Sequence, residues 1–282
     1  MKVLPFKIPK PEQDAIAFQI DFDEVFYDKL HQHEEIQLSL IVKGEGTLIV
    51  GDTINHYKQG DILVIGSNLP HVFKSDVLAS NVSHMLTLFF SKSSFGTQFF
   101  ELEELKELQR FFKRSRHGFR VTTKQKPIKD LFFQLESASK LNRFLILFQI
   151  LKLISSSNYI SLSSFVYDKK FTDYEGSRMR NVFEYTMNHF NSEITLDTIA
   201  EVANMTKNAF CKYFKKRTNK TYVTFLNELR IEHAGKLLVS NKEFAIAEIA
   251  ELSGYNNLSN FNRQFQTFKQ QSPTEYRKHN RL

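Results

Sequence analysis

The sequence predicts an α+β chain of two domains, an antiparallel β-barrel with flanking helices in front and an all-α domain behind. Three observations predict it. Short β-branched runs punctuated by glycine occupy roughly residues 15–90, and helical periodicity replaces them from Phe99 onward. The last ~100 residues then repeat one pattern at an offset of 50. At 282 residues the chain is long enough for two cores, taking roughly 150 residues per domain.

In the front part, IQLSLIVKG, GTLIVGDTINHY and DILVIG are separated by glycines at 44, 46, 51, 60 and 66, as antiparallel strands joined by tight turns would be. From Phe99, FELEELKELQRFFKR passes from an acidic start to a basic end, matching the helix dipole, and predicts one helix. A second helix is predicted from Pro127, in a first-turn position, to Ser155. Leu131, Leu135, Leu141, Phe144, Leu145, Phe148, Leu151 and Ile154 make an apolar stripe along it. Ile146 and Leu147 read as further, exposed apolar residues, so helix 127–155 is a candidate homodimer interface as well as a layer packed on its own barrel. The polar text after it places an interdomain linker, giving domains 1–160 and 177–282 around a linker at 161–176.

Composition excludes several classes. The most apolar segment, FLILFQILKLI, is interrupted by Gln149 and Lys152, so no membrane span is expected. The N-terminal text, with prolines at 5, 9 and 11, has no apolar core of a secretory signal. One cysteine allows no internal disulfide and fits a reducing compartment, so a cytoplasmic location is expected. The net charge of +7 is uneven: residues 1–95 hold 8 basic and 12 acidic side chains (−4), 96–170 hold 14 and 7 (+7), and 171–282 hold 16 and 12 (+4). A polyanion partner suits the rear of such a chain, and so does ordinary solvation. No P-loop, dinucleotide fingerprint or Ser-His-Asp arrangement is visible, and no cofactor is expected.

The repeat is the most specific signal. LDTIAEVANM (196–205) aligns with IAEIAELSGY (246–255), and the pair Phe210 and Phe214 returns as Phe261 and Phe265 at an offset of 51. Each unit therefore reads as two helices meeting at a tight corner, with one extra turn residue in the second. Ala200 and Ala250 are small enough for the helices to cross closely. Gly254 ends its helix in a left-handed conformation, for which Asn204 is the best substitute in the first unit. The Phe pairs pin the second helix of each corner and leave its other face outward. That face carries Lys207, Asn208, Cys211 and Lys212 in the first unit, and Ser259, Asn260, Asn262 and Arg263 in the second. Such side chains read base edges or hold phosphates, and they equally suit a plain solvated helix surface.

These residues resemble the AraC/XylS family of bacterial transcription regulators over roughly 178–278. Leu229, Arg230, Ile231, Ala234, Leu237 and Leu238 match the family's linker helix, and Gly254, Tyr255, Phe261, Arg263, Phe265, Pro273, Tyr276 and Arg277 match its closing signature. Asn219 and Gln270 depart from it where glycine is usual, and Tyr222 where proline is common. The resemblance implies two helix-turn-helix units joined by a linker helix, with double-stranded DNA as partner, both recognition helices in successive major-groove segments, and RNA polymerase as a further partner.

The strand region resembles a cupin barrel, with His31, His33, Gln37 and Gly44 at its first motif and Gly60, Asp61, Pro70 and His71 at its second. The resemblance implies a small-molecule effector inside the barrel, a sugar being common in the family, contacted by His31, His33, Gln37 and His71. Gln37 stands where metal-binding cupins have glutamate, which removes the anionic ligand, so no metal is expected, although three histidines could hold one or serve only the core. The function so implied is effector-responsive, sequence-specific regulation of transcription rather than catalysis. A metal-dependent cupin enzyme carrying a DNA-binding module, and an effector-independent DNA-binding protein, are the alternatives. Cys211 has no resolving partner in the chain, and a small side chain near DNA explains it without redox chemistry.

Overall fold

The structure, a computed structural model, describes residues 14–77, 80–166, 173–240 and 243–280, and groups the chain into two units, 1–177 and 178–282. In the first, the region of β-branched runs forms β1 (Ala17–Asp23), β2 (Ile36–Lys43), β3 (Gly46–Val50), β4 (Thr53–Tyr57), β5 (Ile62–Ile65), β6 (His71–Ser75) and β7 (Ser83–Phe90). Two short strands follow, β8 (Phe119–Val121) and β9 (Tyr159–Ser161). The larger sheet has the order β1-β7-β2-β5-β8-β9 and the smaller β4-β3-β6, all neighbours antiparallel. Gly51, at φ +57°, and Asp52 close the hairpin in which Val50 faces Thr53, a turn that needs a left-handed residue.

β2 shows how the layers form. Leu38 and Leu40 point to one face and pack with Val64, Leu88 and the helices that follow. Ile41, on the same side of the pleat as Gln37 and Ser39, points to the opposite face, where it meets Leu48, Tyr57, Phe73 and Met85 between the two sheets. Both faces of the strand are covered, which accounts for its nearly continuous apolar text.

The helices differ from expectation at three points. The segment from Phe99 is not one helix. Short 3₁₀ turns at Phe99–Glu101 and Glu103–Leu108 precede α1 (Gln109–Ser115), because Leu102 sits at ψ 140°, outside the helical region. The helix read over 127–155 is two, α2 (Gln125–Gln134) and α3 (Lys140–Ser155). Ser139 is extended and accepts a hydrogen bond from Asn142 N at 3.2 Å, which starts a new helix. Ile146 and Leu147 are buried against the larger sheet, because the middle of α3 is covered nearly all round, whereas Leu141, Leu145 and Phe133 are the exposed apolar residues of α2 and α3. Beyond β9, Ser163 Oγ, Ser164 Oγ and Ser164 N donate to the Asp52 carboxylate, so the chain is held to the first unit past residue 160. Residues 167–172 of the expected linker lie outside the described residues.

The second unit is helical: α4 (Asp173–His189, begun in the first unit), α5 (Leu196–Val202), α6 (Lys207–Thr218), α7 (Tyr222–Ser240), α8 (Ile246–Leu252), α9 (Leu258–Lys269) and α10 (Pro273–His279). α7 serves both corners. Its Phe225 packs 5.7 Å from Phe214, while Ile231, Ala234 and Leu238 join Ile249, Ala250, Phe261 and Phe265. Arg230 donates to Phe190 O and Ser192 O, both at 2.7 Å, and lies over the Tyr255 ring, tying the end of α4 to the second corner. Tyr222, in place of a proline, is buried and its hydroxyl pairs with Thr186 Oγ1 at 2.9 Å.

Candidate functional site

The two corners are built alike. Four residues (203–206) separate α5 from α6 and five (253–257) separate α8 from α9, the predicted single insertion. Asn204 and Gly254 take positive φ of 49° and 81° at the helix ends. At Gly254 a Cβ would lie 2.6 Å from Phe190 O, so close approach as well as φ demands glycine there. Thr206 and Asn257 cap α6 and α9 by accepting from Ala209 N and Asn260 N. Asn219 and Gln270 both adopt the left-handed conformation, so the non-glycine residues after these helices still end them.

Phe210, Phe214, Phe261 and Phe265 are fully buried, which fixes which face of each helix looks outward. Lys207, Asn208 and Lys212 are exposed on α6 and Cys211 is half-buried; Ser259, Asn260, Asn262 and Arg263 are exposed on α9. Lys207 pairs with Asp197 of α5 at 2.7 Å, and Arg263 Nη2 donates to Asn260 Oδ1 at 2.8 Å. Two side chains that sequence reasoning missed extend these faces by one turn. Exposed Lys215 follows Cys211 and Lys212 at i+4 and i+3, and exposed Gln266 follows Asn262 and Arg263 likewise; the 51-residue offset that aligns the Phe pairs was signal enough to find both.

In the first unit, a cavity of about 230 Å³ opens beside the histidines, lined by Gln19, Asp21, Phe26, Tyr27, His31, Gln37, His71, Phe73, Met85 and Phe89. His31, Gln37 and His71 thus share one wall. His33 stands behind them, 5.1 Å from the His71 ring and 5.9 Å from that of His31. Gln19 and Asp21 were not anticipated, although AFQIDFD alternates polar with apolar residues and Ile20 and Phe22 face out. Burial pushes the Asp21 carboxyl up, with the hydrogen bond from Gln19 acting against it.

The imidazoles share one construction. Their Nδ1 atoms lie 2.8 Å from Lys29 O (His31), 2.9 Å from Glu35 O (His33) and 2.8 Å from Leu69 O (His71). A carbonyl only accepts, so each Nδ1 carries the proton and Nε2 of a neutral ring is a bare lone pair. Burial holds His33 below the usual imidazole range despite its hydrogen bond with Glu35. Burial, then the neighbouring His31 and His33, hold His71 well below it. His33 Nε2 lies 3.2 Å from Gln37 Oε1; with the amide turned over, its N–H donates to the lone pair and Ser39 Oγ donates to Oε1. His71 Nε2 is buried with no hydrogen-bond partner among the described residues, and ligating atoms of all three rings lie within 4.8 Å of one another. In type, this donor set fits a divalent cation that accepts neutral nitrogen ligands; it lacks the carboxylate that Gln37 replaces.

Comparison with known proteins places these features in two families of domain. A cupin-domain model matches residues 24–78 and a helix-turn-helix-domain model matches 199–279. The uncharacterized HTH-type transcriptional regulator YdeC of Bacillus subtilis is 26% identical over 262 residues, covering 90% of this chain and 87% of that protein. An uncharacterized HTH-type transcriptional regulator of Staphylococcus aureus is 30% identical over 100 residues, 36% of this chain but only 13% of that longer protein. Among solved structures, the C-terminal domain of AraT, a response regulator from Geobacillus stearothermophilus, is 29% identical over 37% of this chain and 87% of that one, with a TM-score of 0.36. A cupin domain thus stands in front of a helix-turn-helix domain that takes in both corners, and over nearly its whole length the chain is similar to an HTH-type transcriptional regulator.

Proposed function

We propose that the outer faces of α6 and α9 enter successive major-groove segments of one duplex, and that a small molecule in the cavity of the first unit controls that binding. The observation that carries the reading is the duplicated corner, in which buried Phe pairs force two polar helix faces outward. An α-helix fits the major groove, and Asn, Ser, Lys and Arg pair with base edges and phosphates there. The cavity supports an effector of limited size and no negative charge. Among the described residues no lysine or arginine lines it, whereas Gln19, Gln37 and Asp21 among the rings of Phe26, Tyr27 and Phe73 suit a polyhydroxylated molecule such as a small sugar. Domains at 1–160 and 177–282 would divide sensing and dimerisation from DNA binding, with Leu141, Leu145 and Phe133 as the apolar face for a second copy. The cytoplasm, with RNA polymerase as a further partner, is where such a regulator acts; no described helix is long and apolar enough to cross a membrane.

The ring nitrogens of His31, His33 and His71, whose ligating atoms lie within 4.8 Å of one another, favour a second reading of the same cavity, in which they hold a divalent cation and Asp21 and Gln37 orient a ligand beside it. Thermal unfolding of the full chain against a panel of neutral sugars, with and without added Mn²⁺, Fe²⁺ or Zn²⁺, separates the two. The effector reading predicts stabilisation by a sugar without metal. A stoichiometric metal in the purified protein favours the second reading and reopens catalysis, and no stabilisation by any addition favours an effector-independent regulator.

A further inference from the structure

The duplication allows the two recognition helices to be compared position by position, at the offset of 51 that superposes Phe210 and Phe214 on Phe261 and Phe265. Four of the five cations of α6 have neutral counterparts on α9, Lys207 corresponding to Leu258, Lys215 to Gln266, Lys216 to Thr267 and Arg217 to Phe268, while Lys212 corresponds to Arg263. α6 contains no carboxylate, and Lys212, Lys215 and Lys216 are exposed without an ion pair among the described residues. On α9, Lys269 is bound by both oxygens of Glu232 at 2.7 Å, which leaves Arg263 as its one unpaired cation. The opposite holds for groups that tell bases apart. α6 offers one exposed amide, Asn208, where α9 has Ser259, but α9 presents the exposed amides Asn260 and Asn262 where α6 has Ala209 and half-buried Cys211, a weak donor. Arg263 is also steadied, since Nη2 donates to Asn260 Oδ1 one turn earlier while its remaining N–H donors stay outward.

We infer that the corners divide the work: α6 supplies phosphate-directed charge with little sequence preference, and α9 reads sequence through Arg263, with Asn260 as the residue that positions it. This rests on the proposed placement of both faces in DNA. A lysine that neutralises a phosphate releases a counterion and contributes about 0.9 to the slope of log affinity against log salt, whatever the sequence. A guanidinium held in one orientation can meet guanine O6 and N7 together, which discriminates bases by roughly 5- to 150-fold.

The test uses the full chain, fluorescence anisotropy between 50 and 300 mM salt, and two 40-base-pair duplexes, one of random sequence and one enriched from a random library by the same protein. Lys212→Gln, Lys215→Gln and Lys216→Gln combined should lower the salt slope by about 2–3 on both duplexes and leave their affinity ratio within about twofold. Arg263→Ala should lower that ratio by roughly 5- to 150-fold and change the slope by no more than about 1. Asn260→Ala should relax preference at the same base position, and should add little once Arg263 is alanine, a coupling that a merely structural role would not produce. If the lysine variant loses the ratio, or the Arg263 variant keeps it, the division of labour is overturned while DNA binding stands. If the wild-type chain shows no salt-dependent affinity for either duplex, the DNA reading itself fails.

Discussion

Replacing Gly254 by alanine tests whether the second corner is as tight as its geometry requires. The added methyl would reduce the freedom of the unfolded chain, which alone favours the variant by about 0.4–1 kcal/mol. Two costs oppose it. A φ of +81° lies in the left-handed region, costing a non-glycine residue about 1–2 kcal/mol. The methyl would also stand 2.6 Å from Phe190 O and 2.9 Å from Arg230 Nε, and since the first is backbone, the end of α4 must move, at about 1–3 kcal/mol. The net is a loss of about 1–5 kcal/mol, enough to lower the Tm of a ~100-residue unit by at least about 4 °C. Asn204 is the internal control. It takes φ +49° at the matching place and is exposed, so Asn204→Gly should stay within about 1 kcal/mol of the parent. Thermal unfolding followed by far-ultraviolet circular dichroism reads both. Equal stability of Gly254→Ala and the parent would refute the close approach, and a large loss for Asn204→Gly would refute the equivalence of the two turns.

Acid should weaken the first unit. His33 and His71 are held neutral by burial, so the unfolded chain takes up protons near pH 6.5 before the folded one does. Their contribution is complete above about pH 6.5 and is lost as pH falls below it toward the depressed folded values, at up to about 1.4 kcal/mol per pH unit for each ring. Unfolding followed at pH 7.5 and 5.5 should show the loss, and His71→Asn should reduce it; a stability that does not change between these pH values contradicts the buried neutral cluster. Leu141→Glu with Leu145→Glu, both at exposed positions, should shift the full chain from dimer to monomer in sedimentation at tens of micromolar with its circular dichroism unchanged. A parent chain that is already monomeric there removes α3 as an interface.

What could be read from the text follows from how local each constraint is. The corners were legible because a helix crossing needs Ala200 or Ala250, a left-handed residue and an i,i+4 Phe pair within about 20 residues, and all three recur in phase. The histidine cluster was legible through the resemblance of its text to the cupin motifs. The rest of its cavity was not, because Asp21 reaches that wall only through the pairing of β1 with β7, where it faces Met85 across 64 residues of sequence. β8 and β9 are three residues each, too short to show a period of two, and they exist through the pairings Val64–Phe119 and Phe119–Ser161. The break between α2 and α3 was hidden because the apolar spacing runs on across it; the local mark was Ser139 as a helix cap. Ile146 and Leu147 looked exposed because periodicity assigns one buried face, whereas the middle of α3 is enclosed on more than one side.

The most direct test of the account is hydroxyl-radical footprinting of the full chain on a duplex selected by it. Two helix faces set by one rigid α7 should protect two segments centred about 10–11 base pairs apart on one side of the duplex, and Arg263→Ala should weaken only one of them. A single protected segment, or protection spread over opposite sides of the duplex, would contradict the placement of both α6 and α9 in DNA.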